Sequence, residues 1–205
     1  METIIKYFPE LDGVRLERME ALKALYEDWN SKINVISRKD MDEFYLHHVL
    51  HSLAIAKVLG PVDGAKVLDL GCGGGFPGIP LAVFFPQMHF TLGYSIRKKT
   101  LVASEVASAL KLDNVTVVNA RAETLPETYD FVVSRAVTSL DNFLPWVKGK
   151  YKDRIVYLKG GAVNEELAAA AVRCGLNLKK VSVINISDFF KEEWFSEKRI
   201  VVIRK

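Results

Sequence analysis

One run, Val67 to Pro80, constrains this chain more than any other: V-L-D-L-G-C-G-G-G-F-P-G-I-P. An apolar stretch ends in Asp69 and Leu70, breaks into Gly71, Gly73, Gly74 and Gly75 around Cys72, and resumes as a helix start at Pro77 to Pro80. A tight strand-to-helix turn needs residues that accept positive φ, and backbone that touches a ligand cannot carry Cβ atoms. Proline in the first helical turn gives up no needed hydrogen bond, so Pro77 or Pro80 can open the next helix. Four glycines exceed what a plain turn requires, and the run predicts a nucleotide-like cofactor at a strand end.

The rest of the chain supplies the sheet that such a loop needs. Residues 14 to 33 carry apolar groups at helical spacing, from Leu16 through Trp29 to Ile33. A second helix is expected over 40–59, capped by Asp40 or Asp42 and stopped at Gly60-Pro61. From Lys66 onward strands and helices alternate: strands at 66–70, 89–94, 115–119, 129–134, 155–159, 181–186 and 199–203, with helices at 79–85, 97–110, 140–147 and 164–174. Repeated β-α units give a parallel sheet with helices on both faces, and the last two strands are expected to pair at its edge. The fold class is therefore α/β, a Rossmann-like sheet. Residues 1–60 form an N-terminal helical extension and 61–205 the core domain. In such sheets ligands bind beyond the carboxyl ends of the strands. Gly71, Tyr94, Glu123, Arg135 and Lys159, each at or just after a strand end, are expected to converge on one crevice.

Composition excludes several classes. Apolar residues make up 49% of the chain, enough for a core, yet no apolar run reaches the roughly 18 residues of a membrane span. No basic region followed by a long apolar core marks a signal peptide. Cys72 and Cys174 are too few for a disulfide framework, which fits a reducing cytoplasm. His47, His48 and His51 have no partner cluster, so no metal is expected. Net charge is only +3, but the basic residues cluster at Arg97-Lys98-Lys99, Lys148 to Arg154, Lys179-Lys180 and Arg204-Lys205, a pattern that suits a polyanion.

Two cofactors compete for the glycine loop. Gly73, Gly75 and Gly78 spell G-x-G-x-x-G, but a dinucleotide fingerprint starts immediately at the strand end, and here it starts late. Asp69 followed by glycines at 71, 73 and 75 matches instead the D-x-G-x-G-x-G opening of S-adenosylmethionine (AdoMet) sites. The end of the second strand, Gly93-Tyr94-Ser95, lacks the acid that either cofactor uses for its ribose hydroxyls. Ser95, Arg97 and Lys98 suit a 2′-phosphate, which keeps an NADPH-dependent reductase open as an alternative, although no Tyr-x-x-x-Lys pair accompanies it.

The chain resembles the glucose-inhibited division protein B family, RsmG, bacterial enzymes that methylate N7 of a guanosine in 16S ribosomal RNA. The resemblance rests on Trp29-Asn30, Asn34 to Arg38, His48-x-x-x-Ser52-Leu53, Phe76 to Leu81, Ser95-x-x-Lys98-Lys99, Arg121-Ala122-Glu123, Ser134-Arg135-Ala136 and Leu158-Lys159-Gly160. It implies a class I AdoMet-dependent methyltransferase. The implied cofactor site comprises Asp69, Gly71, Gly73, Gly75, Phe76, Tyr94, Ala122, Glu123 and Arg135. Tyr94 stands where the family has an aspartate, which predicts weaker AdoMet binding. Asn34, Arg38, His48, Ser52 and Lys159 are expected at the RNA-facing mouth, with Arg97 and Lys98 as phosphate contacts. Trp29 and Trp146 are expected in the core.

Guanine N7 carries a lone pair and no proton, so no general base is needed and no catalytic acid or base is assigned. No Asn/Asp-Pro-Pro-aromatic motif follows the fourth strand, and neither cysteine sits in a Pro-Cys motif. The expected partner is 16S rRNA or the small ribosomal subunit, with no membrane, and the expected state is a monomer. A non-catalytic RNA-binding or ribosome-assembly protein that keeps a methyltransferase fold is the second alternative, suggested by Tyr94.

Overall fold

The computed structural model describes residues 1–125, 128–161 and 163–205. Three helices lead, α1 (Glu2–Tyr7), α2 (Gly13–Lys32) and α3 (Arg38–Asp42). A π-helical turn, Tyr45–Leu50, then runs into α4 (His51–Leu53) and a 3-10 turn, Ala54–Lys57. The helix expected over 40–59 is thus broken into pieces. Its cap is neither aspartate but Ser37, whose hydroxyl accepts the Asp40 N–H.

The core alternates β1 (Lys66–Leu70), α5 (Gly78–Phe84), β2 (His89–Gly93), α6 (Arg97–Ala109), β3 (Val115–Val118), β4 (Tyr129–Arg135), α7 (Leu140–Val147), β5 (Tyr151–Gly160), α8 (Val163–Cys174), β6 (Val181–Asn185) and β7 (Lys198–Arg204). The sheet order is β3-β2-β1-β4-β5-β7-β6. Strands β1 to β5 are parallel, while β7 runs antiparallel to both β5 and β6. The last two strands do pair at the edge, but β7 inserts between β5 and β6. Strand β5 begins at Tyr151, four residues before the apolar run that announces it. On α6, Thr100, Val102, Ala103 and Val106 are buried and Leu101 is exposed.

Two apolar clusters cover the two faces of the sheet. One joins Ile4, Met19, Leu22, Tyr26, Phe44 and Leu53 of the N-terminal helices to Val67, Phe131, Val133, Val156 and Leu158. The other joins Leu68, Leu70, Val132, Ile155 and Tyr157 to α7 and α8 through Leu140, Phe143, Val163 and Leu167. Strand side chains alternate between faces. Asp69 therefore shares the first face with Val67, Arg135 shares it with Phe131 and Val133, and Lys159 shares the second face with Ile155 and Tyr157. That parity decides where three of the expected site residues point. Among the described residues no helix is long and apolar enough to cross a membrane.

Candidate cofactor crevice

Chain reversal after β1 rests on Gly71. Its φ is +81°, its N–H donates to the Gly93 carbonyl at 2.8 Å, and a Cβ built there would lie 2.2 Å from Val137 Cγ2. Farther along the loop, Tyr26 donates its hydroxyl to the Gly74 carbonyl at 2.8 Å, and a Cβ on Gly75 would meet Ile79 and that hydroxyl at 2.8 Å. Gly73, at φ +55°, has open space around the missing Cβ. The helix after the loop starts at Gly78, with Pro77 at the N-cap.

Asp69 fastens this helix to the sheet. It is fully buried, and its Oδ2 accepts the Gly78 N–H at 2.7 Å while Oδ1 has no partner among the described residues. Burial pushes its pKa up to about 7, against the opposing pull of the Gly78 N–H and of Arg135. The unfolded chain ionises this group near 3.8, so charging it inside the fold costs stability. The stabilising contribution is complete below about pH 4 and lost as pH rises to about 7. Replacing Asp69 by Asn keeps a carbonyl acceptor for Gly78 and removes the titration. Urea unfolding from pH 4 to 8 is expected to show the stability of the wild type, relative to Asp69→Asn, falling across that window. A pH-independent difference would contradict the assignment.

A cavity of about 350 Å³ opens at the carboxyl ends of β1, β2 and β3, a volume typical of small-molecule sites. Gly71, Tyr94, Ala122 and Glu123 line it, as the sequence predicts, together with Ser95, Arg121, Val137 and Trp146. Trp146 is thus a cavity wall as well as a core residue. Its position, next to last in the helix after β4, carried no motif that could mark it. Tyr94 is half-buried, its carbonyl accepts the Asn119 amide at 2.9 Å, and the Lys99 ammonium lies 5.9 Å from its ring. A phenol offers one hydrogen bond where a carboxylate accepts from both hydroxyls of a ribose. The difference is on the order of 1–3 kcal/mol. Tyr94→Asp is therefore expected to tighten AdoMet about tenfold or more in calorimetric titration, and an unchanged affinity would remove Tyr94 from the site.

Asp69, Gly73, Gly75, Phe76 and Arg135 do not line this cavity. Phe76 turns toward the N-terminal helices, 4.7 Å from the Tyr26 ring and 5.1 Å from the His48 ring. Arg135 follows it. Its guanidinium lies 5.1 Å from the Phe76 ring, donates to the His47 carbonyl at 3.3 Å and meets His48 Nδ1 at 3.1 Å. Burial lowers the Arg135 pKa to about 10, which leaves it charged at neutral pH. Burial and then the Arg135 charge push His48 down to about 3, so its ring is neutral and Nδ1 is the acceptor. His48 Nε2 is buried without a partner among the described residues.

Two residues expected at an RNA-facing mouth are interior instead. Ser52 is fully buried and donates its hydroxyl to the His48 carbonyl at 2.6 Å, one turn back along its own helix. Lys159 is 7% exposed, pairs with Glu166 at 2.8 Å and donates to the Thr138 carbonyl at 2.9 Å. Glu166 also accepts the Leu140 N–H at 2.9 Å, so the lysine ties β5 to α7 and α8. Asn34, Arg38, Arg97 and Lys98 are exposed, with Arg97 and Lys98 opening α6 beside Tyr94 and Ser95. The three nearby histidines diverge. His47 stacks on Trp194 at 4.4 Å and bonds Asp40 through Nδ1 at 3.0 Å, whereas His51 is buried edge-on to Trp194 and Phe195.

The fold is shared with solved methyltransferases. A SAM-dependent methyltransferase from Aquifex aeolicus superimposes with a TM-score of 0.58 at 16% identity, covering 82% of this chain and 98% of its own. Magnesium protoporphyrin IX methyltransferase of Synechocystis, solved with bound SAM, gives 0.61 at 14% identity over 95% of this chain and 98% of its own. The class I AdoMet-dependent methyltransferase fold follows, here with an N-terminal helical extension. Sequence similarity is closer. Ribosomal RNA small subunit methyltransferase G of Flavobacterium psychrophilum is 48% identical over 209 residues, 98% of this chain and 96% of that protein. The protein of the same name from Bacteroides thetaiotaomicron is 47% identical over 210 residues, 98% of each. None of these similarities supports a reductase or a non-catalytic assembly factor. The GidB family model, rRNA small subunit methyltransferase G, matches residues 15–193, and with relatives nearly half identical along its length this chain belongs to that family.

Proposed function

We propose that this protein transfers the methyl group of AdoMet to N7 of a guanosine in 16S ribosomal RNA. The observation that carries the reading is the crevice itself. In a chain of this family, a side-chain-free turn at Gly71 faces Tyr94, Ala122, Glu123 and Trp146 across a cavity of cofactor size.

The residues present fit the cofactor. Backbone at Gly71 can approach the methionine part because no Cβ intervenes. Glu123 offers a carboxylate to the exocyclic amine of adenine, Tyr94 a hydroxyl to the ribose, and Trp146, Val137 and Leu70 apolar walls that exclude water. Asp69 acts one layer below, fixing the loop to α5 through Gly78. When bound, AdoMet supplies an electrophilic methyl group on a sulfonium. Guanine N7 attacks through an existing lone pair, so this chain need not remove a proton. Its contribution is positioning and desolvation. His48, held neutral, and Arg135, held by His48, keep the N-terminal helices on the sheet face beside the crevice. Arg97, Lys98 and Arg38 are exposed and suited to phosphate contacts around an unstacked base. We read residues 1–60 as the helical extension and 61–205 as the methyltransferase domain, working as a monomer in the cytoplasm.

Incubation with AdoMet labelled in the methyl group, and with 16S rRNA either free or in assembled small subunits, tests the reading. Label is expected in the RNA of at least one of the two forms, with no binding of NADPH in parallel titration. Saturable NADPH binding, or no label in either form, overturns it.

A further inference from the structure

A larger cavity, about 570 Å³, lies at the opposite end of the sheet. It forms where β5 begins, β7 ends and both α7 and α8 terminate. Lys148, Arg173, Lys180, Arg204, Lys205 and Tyr151 line it, and among the described residues no Asp or Glu does. Strand register sets Asp69 of β1 level with Val133 of β4 and Val156 of β5, five residues from Tyr151, so this cavity stands about 20 Å from the crevice along the strands.

Helix ends explain part of the charge. Lys148 caps the end of α7 and Arg173 lies in the last turn of α8, where a cation complements the helix dipole, and Arg173 is further neutralised by Asp141. The other three cations have no such reason to gather. Lys180 precedes β6, and Arg204 and Lys205 end β7. Arg204 donates to Ser182 Oγ at 3.1 Å and Lys205 to the Tyr151 carbonyl at 2.8 Å. Among the described residues, Lys148, Lys180, Arg204 and Lys205 have no carboxylate within ion-pair distance. Four cations from three elements, none paired with an Asp or Glu among the described residues, make a positive site around one concave space in a chain of net charge only +3.

We propose that this cavity is a second RNA-contact site that takes backbone phosphates of the substrate at the end of the sheet remote from the crevice. The inference rests on small-subunit RNA being the substrate. A folded RNA spans that distance readily, so one molecule can present a base to the crevice and phosphates to this cavity. Contacts there add affinity and register without reading sequence.

The triple variant Lys148→Glu/Lys180→Glu/Lys205→Glu tests it, since all three side chains are exposed. Binding of 16S rRNA transcript is measured by filter retention from about 50 to 200 mM salt, with AdoMet titration as the control for folding. Each lost phosphate contact removes about 0.7 to 0.9 from the slope of log affinity against log salt. The variant is expected to bind at least tenfold more weakly, with a slope shallower by about two and unchanged AdoMet affinity, while the triple Lys→Arg variant binds like wild type. Equal affinity and slope in the Glu variant, alongside a wild type that binds and methylates the RNA, overturns this inference alone. A wild type that does not bind the RNA overturns the functional reading, and this inference with it.

Discussion

Gly71→Ala is expected to weaken AdoMet binding at least a hundredfold and to abolish methyl transfer. The added Cβ falls 2.2 Å from Val137 Cγ2 and 3.1 Å from Cγ1, far inside van der Waals contact. Val137 cannot step aside cheaply. Its side chain is β-branched and stiff about χ1, and its backbone N–H is held by the Tyr157 hydroxyl at 3.1 Å. The alternative is for the Gly71 turn to move, and at φ +81° an alanine already resists the native conformation. Either movement displaces a wall of the crevice. Gly73→Ala is the matched control. Nothing lies within 4 Å of its missing Cβ, its φ of +55° is one an alanine reaches at a cost of about 1–2 kcal/mol, and it does not line the cavity. Calorimetric titration should separate the two variants by more than tenfold. Adding Val137→Ala to Gly71→Ala should recover part of the loss. Equal affinities for the two alanine variants would mean that the cofactor does not meet the chain at Gly71.

Removing Arg135 is expected to cost stability first. Its guanidinium bonds the His47 carbonyl and His48 Nδ1 and covers the Phe76 ring, joining the end of β4 to the π-helical turn. In Arg135→Ala both acceptors lose their donor inside a buried space and a cavity replaces the side chain. The cost is on the order of 3 kcal/mol. Urea unfolding should report it, and amide exchange should rise across 38–57, where the lost contacts lie. Lysine should not restore the wild type, because one ammonium cannot reproduce the planar fork that serves two acceptors and lies on a ring. An Arg135→Ala protein as stable as wild type, with only AdoMet affinity reduced, would instead put Arg135 on the cofactor as the family resemblance implies.

The sequence made the alternation of elements legible because glycine, proline and apolar runs mark the strand ends. It placed the loop at Gly71 and the cavity residues Tyr94, Ala122 and Glu123 for the same reason, since each comes within a few residues of a strand end. What it could not show was sidedness. Arg135 and Lys159 also sit at strand ends, but pleat parity turns Arg135 toward the N-terminal helices and Lys159 toward α7 and α8. Strand-end position alone does not distinguish them from Tyr94. Ser52 carries a polar side chain that reads as a surface group, and only the helix context shows its hydroxyl spent on the His48 carbonyl. Trp146 and the basic cavity were hidden differently. The clusters at Lys148, Lys180 and Arg204-Lys205 read from sequence as separate basic stretches, and only the fold brings them around one concave space, as only the fold brings Trp146 to the strand ends.

Mapping the methylated position tests the central claim most directly. Methylation at guanine N7 puts a positive charge on the imidazole ring, which makes that nucleotide open to borohydride reduction and the strand open to aniline cleavage. 16S rRNA incubated with this protein and AdoMet, then reduced, cleaved and read by primer extension, is expected to give one new stop at a guanosine that is absent without AdoMet and absent with Gly71→Ala. Methyl label in the RNA with no borohydride-dependent cleavage, or label on a base other than guanine, would contradict the account.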